Sequence, residues 1–145
     1  DGLRLGLSFG YIDSEYTSFE GDPVREGQQV NDVPEYKYSV FGGYSFDAFA
    51  GEITLHADYV WEDDTTGPSG VSQIPQWEIL NLSVAYYSGG GNWELVGWIR
   101  NALDEEYWLE NSLTVASSAP EASPRLIAPP QTMGVTFNYM LGAGR

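Results

Sequence analysis

The single histidine of the chain, His56, lies two residues before Asp58 in a segment where polar and apolar residues alternate. If that segment is a β-strand, both side chains point to the same side, because every second residue of a strand shares a face. An imidazole beside a carboxylate can bind a ligand or move a proton inside a cavity. The same pair also suits a hydrated wall that makes only structural hydrogen bonds.

Two basic residues, Lys37 and Arg100, lie on the polar side of similar alternating segments. A guanidinium or ammonium group in such a place can pair with a carboxylate from another part of the protein, or it can meet an anionic ligand. Arg100 shares its face with Glu94 and Trp98. We expect structural pairing for Arg100, with ligand contact as the alternative, and the same interpretation applies to Lys37.

The sequence favours solvated loops over a catalytic or metal site for the acidic clusters. Asp13 and Glu15 share a face but have similar surroundings, whereas glycosidase chemistry needs two carboxyl groups in different environments. The triplets 62–64 and 104–106 lack the spacing of a calcium-binding loop. With one His and no Cys, neither a multi-histidine zinc site nor a thiolate site can form. We therefore predict no enzyme, no metal and no cofactor.

The composition bounds the partners further. The 145 residues include 21 acidic and 6 basic side chains, for a formal net charge of −15. A nucleic-acid-binding protein needs a basic face for the phosphates, so nucleic acid is excluded as a partner. The chain is long enough for one domain at most, so we treat residues 1–145 as a single region. It begins on Asp1-Gly2 rather than on Met, so we expect a mature product or a piece of a longer chain.

Proline marks the connections between the elements that must carry these side chains. The eight prolines fall in the stretches 20–34, 62–76 and 105–130, and shorter breaks occur at 47–50 and 89–91. Because proline cannot donate to a sheet ladder, the segments between the breaks are candidate strands, and their hydrophobic period is 2. The sequence predicts six antiparallel strands, at 3–19, 35–46, 51–62, 77–88, 92–103 and 131–141.

The predicted strands have the length and connections of a membrane barrel. Each has about ten residues, more than the five or six usual in soluble sheets, and enough to cross a bilayer when tilted. Long and short connections alternate, as they do in outer-membrane barrels with long extracellular loops and short periplasmic turns. We call the end with the two short turns the short-turn rim, and the opposite end the long-loop rim.

The apolar face of the strands carries aromatic residues towards both rims and smaller residues between them. Amphipathic aromatics prefer the membrane interface, where barrels show them as two girdles. The aromatics towards the long-loop rim are Tyr36, Tyr38, Tyr59 and Trp61, and those towards the short-turn rim are Tyr44, Phe46, Tyr86, Trp93 and Tyr139. The side chains expected to face lipid are Leu55, Leu82, Val84, Leu95, Ile99, Val135 and Phe137. Those expected to face the lumen are Lys37, His56, Asp58, Arg100, Thr136 and Asn138.

The charges concentrate at one rim. The three long connections hold twelve acidic residues against Arg25 and Arg125; the acids are Glu20, Asp22, Glu26, Asp32, Glu62, Asp63, Asp64, Asp104, Glu105, Glu106, Glu110 and Glu121. This distribution predicts an acidic mouth rather than a uniform solubilising coat. Strand length, girdles and mouth together predict an all-β fold, an antiparallel transmembrane β-barrel segment.

Several segments resemble the TonB-dependent outer-membrane receptors. Residues 33–39 look like the start of a strand in that family, and residues 79–84 look like one of its late strands. Residues 93–107 are similar to the penultimate strand running into the Asn-Leu-x-Asp-x-x-Tyr signature, here the segment from Asn101 to Tyr107. Residues 129–141 resemble the terminal strand, although this chain continues past Tyr139 instead of stopping on an aromatic residue.

The resemblance implies the C-terminal part of a barrel of about 22 strands, the size of the plugged outer-membrane transporters. It implies a receptor in the bacterial outer membrane that takes up a scarce nutrient, such as a ferric siderophore, vitamin B12, haem or a glycan, with energy from TonB. The partners implied are outer-membrane lipid, a small nutrient ligand, and TonB and a plug domain through parts absent from this chain. The candidate substrate-binding or plug-facing residues are Lys37, His56, Asp58 and Arg100.

Two other interpretations follow from the residues. Six strands are too few to close around a filled interior, so the chain could be a structural or assembly protein that completes a barrel or sheet with other chains. A soluble β-sandwich that binds a ligand would also show alternating strands. In the barrel interpretation the first and last strands have free edges within this chain, and such edges invite pairing.

Overall fold

The computed structural model describes residues 2–18, 20, 25–67, 72–111 and 125–141. Asp22 and Glu121 of the acidic long connections lie outside these ranges, as does position 19 at the end of the first predicted strand. The strands are β1 (Gly2–Tyr11), β2 (Tyr36–Ala48), β3 (Gly51–Glu62), β4 (Thr65–Thr66), β5 (Gln73–Ile74), β6 (Trp77–Ser88), β7 (Trp93–Arg100), β8 (Trp108–Asn111), β9 (Arg125–Ile127) and β10 (Thr132–Tyr139).

The six long strands form one sheet in the order β1-β2-β3-β6-β7-β10, with every neighbouring pair antiparallel. Each long strand therefore pairs with the long strand before it and after it in the sequence. Within the described residues β1 and β10 have no second partner, so the sheet is open at both edges. The described residues contain no helix long and apolar enough to cross a membrane.

The six long strands confirm the prediction from alternation, with two changes to the boundaries. β3 and β6 begin and end where the sequence predicted, and β7 and β10 do so within a few residues. The first strand was predicted to run to 19, but β1 ends at Tyr11 because the apolar alternation gives way to polar residues, and beyond it Glu15 makes only an isolated bridge to Gln29. β2 runs on to Ala48, so the break predicted at 47–50 is a turn of two residues.

Two short hairpins lie in stretches that were predicted to be loops. β4 pairs with β5 after β3, and β8 pairs with β9 between β7 and β10. Pairs of two to four residues give too little alternation to stand out in a sequence. Both hairpins lie at the long-loop rim, where β5 and β8 also contact each other.

The sheet has almost no buried apolar core of its own. Among the described residues, only Ile74, Ala85 and Ala128 are buried hydrophobic side chains. The apolar face is open instead: Leu7 is 74% exposed at one edge and Val135 is 73% exposed at the other. Soluble monomers rarely expose a continuous apolar surface of this kind, so the face requires a cover from outside this chain.

Two aromatic bands cross the apolar face. At the long-loop rim Tyr38 stacks on Trp61 with ring centroids 5.3 Å apart, and Phe9 joins the band through Tyr36 at 6.3 Å. At the short-turn rim Tyr86 lies 5.1 Å from Trp93, which contacts Phe137 at 6.2 Å. The sequence alone does not place Phe9 and Phe137 in a band. The pairing of the strands places Phe9 in the band at the long-loop rim and Phe137 in the band at the short-turn rim.

Among the six long strands, one charged side chain, Glu78, lies on the apolar face. Glu78 lies opposite Trp61 and accepts a hydrogen bond from the Tyr59 hydroxyl. It lies at the long-loop end of β6, next to the acidic connections, so its position is at a rim and not in the middle of the face.

Candidate functional site

The polar face of the sheet brings the candidate residues into cross-strand rows. His56 on β3 lies between Gly43 on β2 and Ser83 on β6, and Ser83 lies opposite Trp98 on β7. One row towards the long-loop rim, Asp58 lies between Phe41 and Asn81. Strand alternation alone puts these side chains on one face. The register adds which of them are neighbours.

His56 and Asp58 form a loose pair in the middle of this face. The His56 Nε2 and the Asp58 Oδ1 are 3.6 Å apart, and the two side chains are 45% and 36% exposed. Asp58 also accepts a hydrogen bond of 2.8 Å from the Asn81 side-chain amide. The Asn81 Oδ1 in turn accepts a hydrogen bond of 3.0 Å from the backbone N–H of Asn101. The pair is thus tied to the polar network of β6 and β7 and remains accessible.

Arg100 lies beside this pair. It lines a recess of about 310 Å³ together with His56, Asp58, Asn81, Leu82, Ser83, Trp98 and Ile99. Its guanidinium carbon lies 5.3 Å from the centroid of the Trp98 ring, a distance suited to a cation–π contact. Within the described part of the chain Arg100 forms no ion pair, although the chain carries 21 acidic residues. An exposed, unpaired guanidinium can bind an anionic group.

Arg4 was not among the candidate residues, but it lies on the other side of His56 from Arg100. Arg4 on β1 faces Gly43, the same residue that lies opposite His56. It lines a second recess, of about 440 Å³, with Gly2, Leu3, Phe41, Gly43, Ser45, Thr54 and His56. Arg4 also forms no ion pair within the described residues. Its place on the polar side of an alternating strand was the available signal, but periodicity cannot show which residues of other strands lie beside it.

Two aromatic side chains, Phe41 and Trp98, flank the recesses, and both rings lean away from the centre of the polar face. The Phe41 ring lies over Gly6, where a Cβ would come within 2.1 Å of the ring, and Trp98 lies over Gly134, where a Cβ would come within 2.5 Å. Glycine on the neighbouring strand therefore lets each ring lie flat towards an edge of the sheet. His56, between the two rings, remains open to the space above the face, with its own ring 6.3 Å from Phe41.

Lys37 does not belong to this group. It lies at the long-loop rim, opposite Glu62, and its Nζ is 2.6 Å from the Glu62 carboxylate. The same ammonium lies 5.9 Å from the Trp77 ring, which stacks on Tyr107. The structure therefore brings three of the four candidate residues together, and it places the fourth in a separate ion pair.

The segment from Asn101 to Tyr107 forms the base of a long connection. Asn101 is 4% exposed and has a positive φ of 51°, a conformation that asparagine adopts more readily than most residues. Its side chain donates to the Glu105 carbonyl at 2.8 Å and accepts from the Glu105 N–H at 2.9 Å. The Ala102 N–H donates to the Leu80 carbonyl at 2.7 Å. The signature segment is thus a turn that ties β7 to β6.

Among the acidic residues of the long connections, Asp32 has a shifted pKa. Burial, with a smaller contribution from the charge of Glu110, raises the pKa of Asp32. Asp32 also has a positive φ of 58°, and its backbone N–H donates to the Thr66 carbonyl at 2.8 Å. No group of three or more potential metal ligands occurs among the described residues.

Comparison with known proteins relates this architecture to one family and to solved structures. A family model described as TonB dependent receptor-like, beta-barrel matches residues 2–102. The chain is similar to the crystal structure of BauA, the ferric preacinetobactin receptor from Acinetobacter baumannii, with a TM-score of 0.74 and 16% sequence identity over 94% of this chain. It spans 19% of the length of that receptor, and the likeness concerns the fold. No curated protein matches the sequence.

Proposed function

The chain belongs to the TonB-dependent receptor β-barrel family, and on that premise we propose that it forms part of the wall of an outer-membrane receptor that takes up a scarce nutrient. The family is one of receptors and transporters rather than enzymes. The single observation that carries the proposal is the open apolar face bounded by two aromatic bands. In a membrane, lipid covers such a face and the aromatic rings lie at the two interfaces.

The open edges fit a chain that supplies only part of a barrel. β1 and β10 each leave one side unpaired within the described residues, and unpaired strand edges are not stable in a membrane. We propose that further strands of a longer polypeptide close the barrel, that this chain is its C-terminal part, and that a plug domain and a TonB-binding segment lie elsewhere in it. A barrel completed by separate chains is the second candidate, and the same open edges favour it.

The polar face is then the wall of the lumen. We propose that His56, Asp58 and Arg100 contact the plug or the passing nutrient, since they surround an accessible recess. Lys37 has a different place in this proposal, at the outer end of the lumen beside Glu62. The nutrient is a small molecule such as a ferric siderophore, and no cofactor is needed.

The membrane part of the proposal is tested at two adjacent positions on opposite faces. In the complete natural polypeptide, Leu82→Arg places a cation against lipid, at a cost of about 2–4 kcal/mol near the bilayer midplane, whereas Ser83→Arg places it in the lumen. We expect a much lower folded yield in membranes for Leu82→Arg. Leu82→Ser controls for the loss of the apolar side chain. Equal yields for the two arginine variants would contradict the assignment of the faces.

The transport part needs a separate experiment. Cells that produce the complete protein are supplied with labelled ferric siderophores, haem or vitamin B12, with and without TonB. Uptake of at least one compound that requires both the protein and TonB is the expected result. Normal membrane insertion without TonB-dependent uptake of any of these compounds would favour the structural role.

A further inference from the structure

Glu78 is the one charged side chain on the apolar face of the six long strands, and two observations place it there. It lies opposite Trp61 on β3, and directly opposed residues of an antiparallel pair share a face. Its carboxylate also accepts a hydrogen bond from the hydroxyl of Tyr59, which lies on the same face, opposite Leu80. The carboxylate is therefore on the side of the sheet that the proposed function assigns to lipid.

Glu78 has no cationic partner in the part of the chain that the structure describes. The ion pairs found there join residues of the polar face. The arginine and lysine residues of the long strands all lie on that face: Arg4, Lys37 and Arg100. The Tyr59 hydroxyl stabilises the negative charge of Glu78 by a hydrogen bond but does not neutralise it. The carboxylate is thus left to interact with a cation from outside the sheet.

Strands that complete a barrel do not supply this cation. β6 is an interior strand, paired with β3 and β7, whereas further strands would join at the edges β1 and β10. On the β7 side the connection after Asn101 reaches the height of Glu78, where the Ala102 N–H donates to the Leu80 carbonyl. A plug would lie on the opposite, polar side of the sheet. What covers Glu78 in the proposed function is the layer of lipid head groups at the long-loop rim.

We propose that Glu78 binds a lipid head group that carries a primary ammonium group, such as ethanolamine. The inference rests on the proposed function, because it needs the apolar face to be covered by lipid. An ammonium group donates charge-assisted hydrogen bonds, and a single carboxylate is enough to accept them. Glu78 also lies at the right depth: its partner Trp61 stacks on Tyr38 in the aromatic band of the long-loop rim, and such bands lie at the level of the head groups.

A divalent cation suits this place less well than an ammonium group. Ca²⁺ takes about six to eight oxygen ligands, and Mg²⁺ demands nearly ideal octahedral coordination. Glu78 is the one carboxylate on this face of the long strands, and the Tyr59 hydroxyl beside it acts as a donor. The described residues hold no cluster of three or more acidic or histidine side chains. Choline, which is cationic but has no N–H, is the natural comparison for ethanolamine.

The complete natural polypeptide, purified with equal amounts of phosphatidylethanolamine and phosphatidylcholine, provides the test. Native mass spectrometry gives the ratio of the two lipids that stay bound. Glu78→Gln removes the charge and keeps the size of the side chain. Glu62→Gln is the matched control, because Glu62 lies at the same rim on the polar face. We expect a several-fold higher ratio of ethanolamine to choline lipid for the natural protein and Glu62→Gln than for Glu78→Gln. Equal ratios for the natural protein and Glu78→Gln would overturn the proposal.

Glu78→Lys is a second variant that reverses the charge instead of removing it. In a mixture of phosphatidylethanolamine and phosphatidylglycerol it should shift the bound lipid several-fold towards the anionic phosphatidylglycerol. An unchanged preference for the ethanolamine lipid would overturn the proposal. So would an effect of Glu78→Gln that requires both Mg²⁺ and phosphatidylglycerol, since that result would assign Glu78 to a metal bridge to lipid phosphate.

A separate measurement keeps the failure of this site distinct from the failure of the proposed function. The chain has no cysteine, so Leu82→Cys can carry a fluorophore in the middle of the apolar face, with any other cysteine of the complete polypeptide replaced by serine. The labelled protein is placed in phosphatidylcholine vesicles with a nitroxide quencher deep in the acyl chains. Strong quenching combined with no effect of Glu78→Gln would overturn the head-group site and leave the proposed function intact. Absence of quenching would mean that the apolar face does not contact lipid, and both would fail.

Discussion

The two rims of the sheet are held together by different kinds of contact. At the short-turn rim the two hairpins meet through backbone, with Gly89 packed directly against the Ala50 carbonyl. At the long-loop rim the connections are joined by hydrogen bonds of both backbone and side chains: the Asp32 N–H donates to the Thr66 carbonyl at 2.8 Å, and Asp104 accepts from the Gln131 N–H at 3.2 Å. Backbone packed in direct contact leaves no room for longer connections, whereas hydrogen bonds at the base of a loop leave its tip free to differ.

This difference assigns separate tasks to the two ends. The short-turn rim fixes the register of the neighbouring hairpins, because a shift of one residue would bring the side chain of Ala50 or Glu52 into the place of Gly51. The long-loop rim carries most of the acidic residues and both small hairpins, on a base that holds them at a defined position.

Gly89→Ala should be the most damaging of these substitutions. A Cβ at this position would lie 2.0 Å from the Ala50 carbonyl oxygen, and backbone cannot rotate away as a side chain can. We expect a loss of about 3 kcal/mol in the free energy of unfolding, the upper end of the usual cost of overpacking. Chemical unfolding in detergent or vesicles measures it. Gly90→Ala is the matched control, since its nearest neighbour is the Asn92 side chain at 3.3 Å. Equal effects of the two variants would contradict the backbone lock.

Asn101→Ala should destabilise the long-loop rim by about 2 kcal/mol, because it leaves the part-buried N–H and carbonyl of Glu105 without their partner. The free energy of unfolding and the protease sensitivity of the 101–131 connection are the measurements. Asn101→Gly keeps the freedom to adopt the positive φ while removing the same hydrogen bonds. Comparable losses in both variants would assign the effect to the side chain, and full stability of the glycine variant would assign it to backbone strain instead.

Lys37→Gln should have a small effect on stability, of about 0–1 kcal/mol, even though the ion pair with Glu62 is only 2.6 Å long. The Lys37 side chain is 54% exposed, so water already solvates the charge. The comparison with Arg100→Gln separates the two candidate residues: we expect that variant to alter uptake or plug binding more than Lys37→Gln does. A larger effect of Lys37→Gln in both assays would mean that the functional part of the lumen lies at the rim.

Asp32→Asn should change the stability least of these variants. At neutral pH we expect it to stabilise the fold, whereas removal of a carboxylate from an ion pair would destabilise it. Because the pKa of Asp32 is raised in the folded chain, folding favours its protonated form. The stability contributed by this residue therefore rises as the pH falls from above its folded pKa towards its ordinary value, and it is lowest at neutral pH. Asp32→Asn should slightly raise the melting temperature at pH 7 and reduce its gain on acidification. A lower melting temperature for the variant at pH 7 would contradict the assignment.

The strands were predictable because alternation is a local property of the sequence. β3 and β6 could be bounded closely because β3 begins directly after the break at 47–50 and β6 ends directly before the break at 89–91. β1 was overestimated, because no proline or glycine marks an end after Tyr11, the last residue of the apolar side, before the chain continues with Asp13 and Glu15. The short hairpins were missed because two to four residues contain no measurable period.

The candidate site was predictable only in part, since it depends on the register between strands. His56 and Asp58 are neighbours along one strand, so their shared face followed directly. That Arg100 lies beside them, that Arg4 lies on their other side and that Lys37 lies apart all depend on pairings between residues far apart in the sequence. The Asn101 turn had a family resemblance as its signal, but its hydrogen bonds to Asn81 and Glu105 required the coordinates.

The strict neighbour order of the six long strands has a consequence for how the sheet is assembled. Each strand pairs with the strand made immediately before it, so every interface closes a loop whose length is set by one connection alone. Loop-closure entropy grows slowly with length, and the two short turns make the β2–β3 and β6–β7 hairpins the cheapest interfaces to form. Those two hairpins are therefore the natural nuclei of folding. The rest of the sheet can grow outward from them, one strand at a time, with each new edge serving as the template for the next.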